Sequence, residues 1–137
     1  MAVGLYVPLS VKEKDVLSDV PKSLDVIYFQ PIPNIELSKA TTKGIKLNVT
    51  ADEFKAMEER VAEINSFYPT VKPMDRIRVT YVPGQGTTVA VNGDVKGTIP
   101  GADLGRAFFA IWVGKRPVDQ WMKKSLLGQS QSNMNEQ

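Results

Sequence analysis

The stretch "RIRVTYVPGQGTTVAVNGDVKGTI", residues 76–99, decides the fold class. Apolar and polar side chains alternate over 76–82, which is the period-two pattern of a half-buried strand. A glycine-rich turn leads into a second apolar run at 87–91. Asn92-Gly93 then predicts a two-residue hairpin turn, because both positions tolerate a positive φ, and a third strand follows at 95–99. The stretch therefore predicts a three-stranded antiparallel meander.

Upstream of the meander, two more strands and a short helix are predicted. The strands are the apolar runs at 3–7 and 23–29, each of which is followed closely by proline. Ser10 and Glu13 have the spacing of a capping box, so we expect a helix over 11–19.

Two longer helices are predicted before the meander. Asn34 can cap the first, over 35–47, although its threonines and glycine are weak helix formers. Thr50 and Glu53 form a second capping box. The helix behind it carries apolar side chains at spacings of three and four, which predicts one buried face: Phe54, Met57, Val61 and Ile64.

Two helices are predicted after the meander, and they include "AIWVGKRPVDQWMKKSLLG", residues 110–128. In the first helix, which Gly114 ends, an apolar stripe recurs at helical spacing: Leu104, Phe108, Ile111 and Trp112. Pro117 suits the first turn of the second helix, where the same spacing recurs: Val118, Trp121, Met122, Ser125 and Leu126. These stripes place both tryptophans in the core rather than in a dedicated site.

Composition limits the function. The 137 residues carry a net charge of +2 and neither cysteine nor histidine. The small charge argues against nucleic-acid partners, and the missing residue types exclude thiol chemistry, His-based catalysis and thiolate or imidazole metal sites. The N-terminus does not read as a signal peptide, and no apolar run is long enough to span a membrane. We expect a single domain over 1–128, followed by a disordered polar tail at 129–137.

Two motifs are better explained by structure than by chemistry. "GQGTT" (84–88) has the glycines of a phosphate cradle, but it leads into a strand instead of a helix N-terminus, so a turn is favoured. The acidic side chains of the third helix lie opposite its apolar stripe, where solvation is their ordinary role: Asp52, Glu53, Glu58 and Glu59.

Arg76 and Arg78 share one face of the first meander strand. If helices cover that face, an arginine there becomes a carboxylate anchor, because its fork donates two parallel hydrogen bonds. If that face is open to solvent, arginines are ordinary surface residues. The strand alone leaves both alternatives open.

Specific runs of residues stand in the meander and in the helix after it, among them "YVPGQGT" (81–87) and "AFFAIWVG" (107–114). With these runs the chain resembles the bacterial chalcone-isomerase-like family. The start "AVGLYVP" is similar to the Ala-Ile-Gly-Val-Tyr-Leu strand of chalcone isomerases. The other matching residues run through most of the chain: Phe67-Tyr68, Val71, Asp75-Arg76-Ile77, Tyr81-Val82-Pro83-Gly84-Gln85-Gly86-Thr87, Val91-Asn92-Gly93, Gly97, Ile99-Pro100-Gly101, Ala107-Phe108-Phe109-Ala110-Ile111-Trp112-Val113-Gly114, Pro117 and Leu126-Leu127-Gly128.

The resemblance implies an α+β fold, with an antiparallel β-sheet and a layer of α-helices packed on one face. In the family, the cleft between sheet and helices cyclises chalcones or holds a fatty acid. This sequence starts at the strand that other members place later, so we expect an N-terminally shortened fold. An exposed sheet edge would then favour a homodimer. Bacterial relatives are commonly periplasmic.

The catalytic residues of the family do not carry over. Its arginine lies upstream of the first strand here, and Met1 stands where the enzyme has a threonine. No tyrosine occurs at 35–37, and Ile111 replaces a hydroxyl-bearing residue. Without these groups the oxyanion stabilisation that the cyclisation needs is missing.

We therefore expect a non-catalytic protein that binds a small apolar or fatty-acid-like ligand and needs no cofactor or metal. The expected ligand-binding residues, with Arg78 as the carboxylate anchor, are Arg78, Tyr28, Tyr81, Phe108, Ile111 and Trp112. Two alternatives stay open. One is an intramolecular lyase that uses Arg76 or Arg78 with Tyr81, and the other is an interaction module that oligomerises through a sheet edge.

Overall fold

A computed structural model describes residues 1–128 of the chain, so the prediction for 129–137 lies outside the described residues. Its single sheet has five strands in the order β1-β2-β3-β4-β5, and every neighbouring pair is antiparallel. The strands are β1 (Ala2–Tyr6), β2 (Lys22–Ile27), β3 (Arg76–Val82), β4 (Gly86–Val91) and β5 (Asp94–Ile99). The predicted meander is thus the second half of a larger one.

Four α-helices complete the α+β fold: α1 (Asn34–Asn48), α2 (Ala51–Ser66), α3 (Ala102–Val113) and α4 (Gln120–Leu126). The capping box before α2 is confirmed, because the Thr50 hydroxyl accepts from the Glu53 amide and the Glu53 carboxylate accepts from the Thr50 amide, at 3.1 and 2.7 Å. Asn34 is the first residue of α1 and does not cap it, since Pro33 holds the N-cap position.

The predicted helix over 11–19 is wrong. Only a 3₁₀ turn forms there, at Glu13–Asp15, and no side-chain cap precedes it. The ammonium of Lys22 accounts for the difference, because it donates to the carbonyls of Val16 and Ser18 at 2.8 and 2.7 Å. This tertiary contact holds the segment in tight turns against the sheet.

The helices cover one face of the sheet, as predicted. In β3, Ile77, Val79 and Tyr81 are buried beneath them, whereas Arg76 and Arg78 are exposed on the opposite face. One face of this sheet is therefore open, and the alternative in which the two arginines are ordinary surface residues is confirmed.

The C-terminal helix does not match its prediction in full. Trp112 packs against the core, but Trp121 is 80% exposed, so its assignment to the core is wrong. Pro117 lies before α4, and Asp119 caps the helix by accepting from the Met122 amide at 3.0 Å. The seven residues of α4 include no buried one, because this short helix touches the body of the protein along a single edge.

Candidate functional site

A cavity of about 220 Å³ lies between the covered face of the sheet, α1 and α3. The sheet forms its floor and the two helices form its roof, and nearly all of the lining is apolar. The central lining residues are Leu24, Val26, Ile77 and Val79 from the sheet, Leu37 and Ala40 from α1, and Phe108, Ile111 and Trp112 from α3.

Local sequence explains how the roof is built. Phe108, Ile111 and Trp112 are spaced by three and four residues, so they share one side of α3. Helix α1 can approach α3 closely at Gly44, where a Cβ atom would lie 2.8 Å from the Ile111 side chain. The missing side chain thus sets the distance between the two helices beside the cavity.

Four of the six predicted ligand-binding residues meet in this cavity: Tyr28, Phe108, Ile111 and Trp112. Tyr81 lies on the same face of the sheet but outside the lining, and its hydroxyl donates to Asp19. The structure therefore brings together the aromatic and aliphatic part of the predicted site.

Arg78 does not reach the cavity, and the expectation that it anchors a carboxylate there is wrong. It lies on the open face, half exposed, where its Nε and Nη2 donate to the two carboxylate oxygens of Asp25 at 2.9 and 2.6 Å. This hydrogen bonding lowers the pKa of Asp25. Because Arg78 and Val79 are neighbours in a strand, their side chains point to opposite faces.

A polar pair in the lining is not predicted by the sequence. The hydroxyls of Thr41 and Tyr68 are 2.9 Å apart and share one hydrogen bond. They are separated by 27 residues, so no local pattern announces the contact.

The polar groups of the cavity are mostly uncharged. Burial raises the pKa of Tyr28 to about 12 and raises that of Tyr68 as well, so both phenols stay protonated at neutral pH. The Trp112 indole Nε1 is fully covered and has no hydrogen-bond partner within residues 1–128. Glu36 is exposed and lines the cavity, which places its carboxylate at the mouth. The lining holds no basic side chain.

A larger groove of about 680 Å³ runs along α3 near the junction of α1 and α2. Charged groups of both signs line it, among them Glu53, Arg106 and Arg116. Its Asp103 is already held by Arg60, whose guanidinium donates to both carboxylate oxygens at 2.8 Å. Apolar enclosure is thus found in the smaller cavity, which makes it the candidate ligand site.

The catalytic alternative is not supported by the geometry. Arg76 and Arg78 lie on the open face, whereas Tyr81 lies under the helices, so they cannot act on one substrate. Among the described residues, no group of three or more acidic, histidine or cysteine side chains could hold a metal ion. Nor does that part of the chain contain a helix long and apolar enough to cross a bilayer.

Lys22 makes the stability of the fold depend on pH. Its ammonium is buried 5.3 Å from the ring centroid of Tyr81, and burial lowers its pKa from 10.5 to about 8. Below pH 8 the Lys22 amine is protonated in both the folded and the unfolded protein. Above that pH the folded protein releases the proton first, so the free energy of unfolding rises with pH by about 2 kcal/mol up to about pH 10. Urea unfolding of the native protein should show this rise.

The Lys22→Met protein tests the assignment, with the exposed Lys43→Met as its matched control. The rise should disappear in Lys22→Met and persist in Lys43→Met. An unchanged rise in Lys22→Met would assign the pH dependence to another group. The rise in the free energy of unfolding ends near pH 10. In the folded protein the pKa values of Tyr28 and Tyr81 are raised to about 12, so above pH 10 these phenols ionise more readily in the unfolded chain and oppose the rise.

Comparison with known proteins agrees with this architecture. The family described as chalcone isomerase-like matches residues 2–128. A solved structure with a similar fold is that of an Arabidopsis thaliana fatty-acid binding protein, with a TM-score of 0.70 and 15% sequence identity over 95% of this chain and 77% of that one. No curated protein matches by sequence. The family match spans all five strands and all four helices, and the chain therefore belongs to the chalcone isomerase-like family.

Proposed function

We propose that this protein binds a small apolar ligand in the cavity between sheet and helices and catalyses no reaction on it. The observation that carries the proposal is the partly open apolar cavity, lined by Tyr28, Phe108, Ile111 and Trp112. At about 220 Å³ it is smaller than the roughly 300–1,000 Å³ of drug-sized ligand sites. The ligand is therefore a short acyl chain or a single small ring system.

Two further observations support the proposal. The structurally similar Arabidopsis protein is named as a fatty-acid binding protein, which suggests an acyl chain as the ligand class. The absence of catalysis is supported by the chemistry of the lining, where the tyrosines are neutral and Ile111 offers no hydroxyl. Acid–base or oxyanion catalysis needs a polar group placed at the reacting atom.

Filling the cavity should abolish binding. Leu37 lines the cavity from α1, whereas Leu47, on the same helix, does not. We expect Leu37→Trp to lower the affinity for naphthalene, a neutral apolar fluorescent dye small enough for the cavity, more than tenfold, because the indole takes up cavity volume. The matched Leu47→Trp control should bind the dye like the native protein. Fluorescence titration measures both affinities, and native mass spectrometry of freshly purified protein identifies any co-purified ligand.

The outcomes separate the candidate functions. Equal dye binding by a folded Leu37→Trp protein would place the ligand outside the cavity. Native protein that binds no apolar dye and carries no ligand would overturn the proposal and favour the interaction module. The homodimer and the periplasmic location stay predictions.

A further inference from the structure

We infer that the cavity selects ligands whose polar end is uncharged, such as an ester, over ionised carboxylates. The inference rests on the proposed function and specifies the ligand class for the same cavity. It departs from the fatty-acid anion that the Arg78 anchor would have required.

The first step concerns the polar groups of the lining. The hydroxyls of Thr41 and Tyr68 share one hydrogen bond. The indole Nε1 of Trp112 is covered by protein atoms, so a ligand in the cavity does not reach it. The lining therefore offers a ligand mainly apolar surface and uncharged hydroxyls.

The second step concerns charge. A carboxylate entering an apolar site loses its hydration and needs a cation in return. The lining has no basic side chain, and Arg78 is held by Asp25 on the other face of the sheet. The one acidic side chain of the lining is that of Glu36, which is exposed at the mouth and disfavours an anion there. Both desolvation and repulsion thus disfavour an ionised carboxylate.

The test compares three ligands of eight carbons: octane, methyl heptanoate and octanoate. Each displaces naphthalene from the native protein at neutral pH. We expect methyl heptanoate to displace the dye at a concentration at least tenfold lower than octanoate. Lowering the pH until octanoic acid is protonated should reduce the difference between the displacing concentrations of the two ligands.

Two variants test the part that charge plays. Glu36→Gln removes the charge at the mouth and should strengthen octanoate binding severalfold. Glu63→Gln, an exposed position on α2 outside the lining, should leave octanoate binding as it is.

The results distinguish this inference from the proposed function. Octanoate binding as tightly as methyl heptanoate at neutral pH would overturn the selectivity and leave the cavity as the binding site. Equal octanoate binding by Glu36→Gln and the native protein would overturn the part assigned to Glu36. Failure of all three ligands to displace the dye from the native protein would overturn the proposed function itself.

Discussion

Replacing Gly86 with alanine is expected to destabilise the fold by about 4 kcal/mol, the sum of backbone strain and steric overlap of about 2 kcal/mol each. Gly86 begins β4 with a φ of 117°, in a region that residues with a side chain rarely adopt. A Cβ atom there would overlap the carbonyl oxygen of Ile99 and lie 2.8 Å from its carbonyl carbon. These are backbone atoms of β5, so they cannot turn aside as a side chain would.

Gly84 provides the matched control in the same turn. Its φ is 77°, but a Cβ atom there would meet nothing within 4 Å. Gly84→Ala should therefore lower the free energy of unfolding by only about 1 kcal/mol, the penalty for placing alanine in the left-handed conformation. Urea unfolding at constant m-value measures both changes. Equal losses in the two variants would show that β5 moves away from Gly86, and that the close approach is not what stabilises the β4–β5 pairing.

The meander could be predicted from sequence because its signals are local. Side chains alternate along β3, and Asn92-Gly93 allows the hairpin turn, with Asn92 at a φ of 51° and Gly93 at 84°. The segment 11–19 could not, because its capping signal is overridden by Lys22, which binds the carbonyls of that segment from the sheet. A local pattern predicts an element only where no distant group competes for its backbone.

The candidate site could likewise be predicted from sequence only in part. Helical spacing places Phe108, Ile111 and Trp112 together, and the structure finds them in one cavity wall. For Arg78, the alternation in β3 separates two faces but does not say which one the helices cover, and that depends on packing across the chain. Tyr68 meets Thr41 only in the folded protein. Which residues share a face is thus readable from sequence, whereas what each face meets is not.

Replacing Phe109 with alanine should destabilise the protein by about 4 kcal/mol, within the usual range for deleting a buried phenyl ring. Phe109 is fully buried, packs edge-on against Phe108 with ring centroids 5.7 Å apart, and lies 5.7 Å from the Lys22 ammonium. The loss of stability has three sources: the phenyl ring is no longer buried away from water, a void is left in the core, and the contacts with the Phe108 ring and the Lys22 ammonium are lost.

Phe29→Ala is the control, because Phe29 is 49% exposed; it should cost less than about 1 kcal/mol. Urea unfolding followed by tryptophan fluorescence gives both values. A loss below about 1.5 kcal/mol in Phe109→Ala would mean that the core closes around the void. Because Phe109 supports α3 without lining the cavity, the folded Phe109→Ala protein should still bind naphthalene. Loss of binding would instead show that the cavity keeps its shape only while α3 is held from behind.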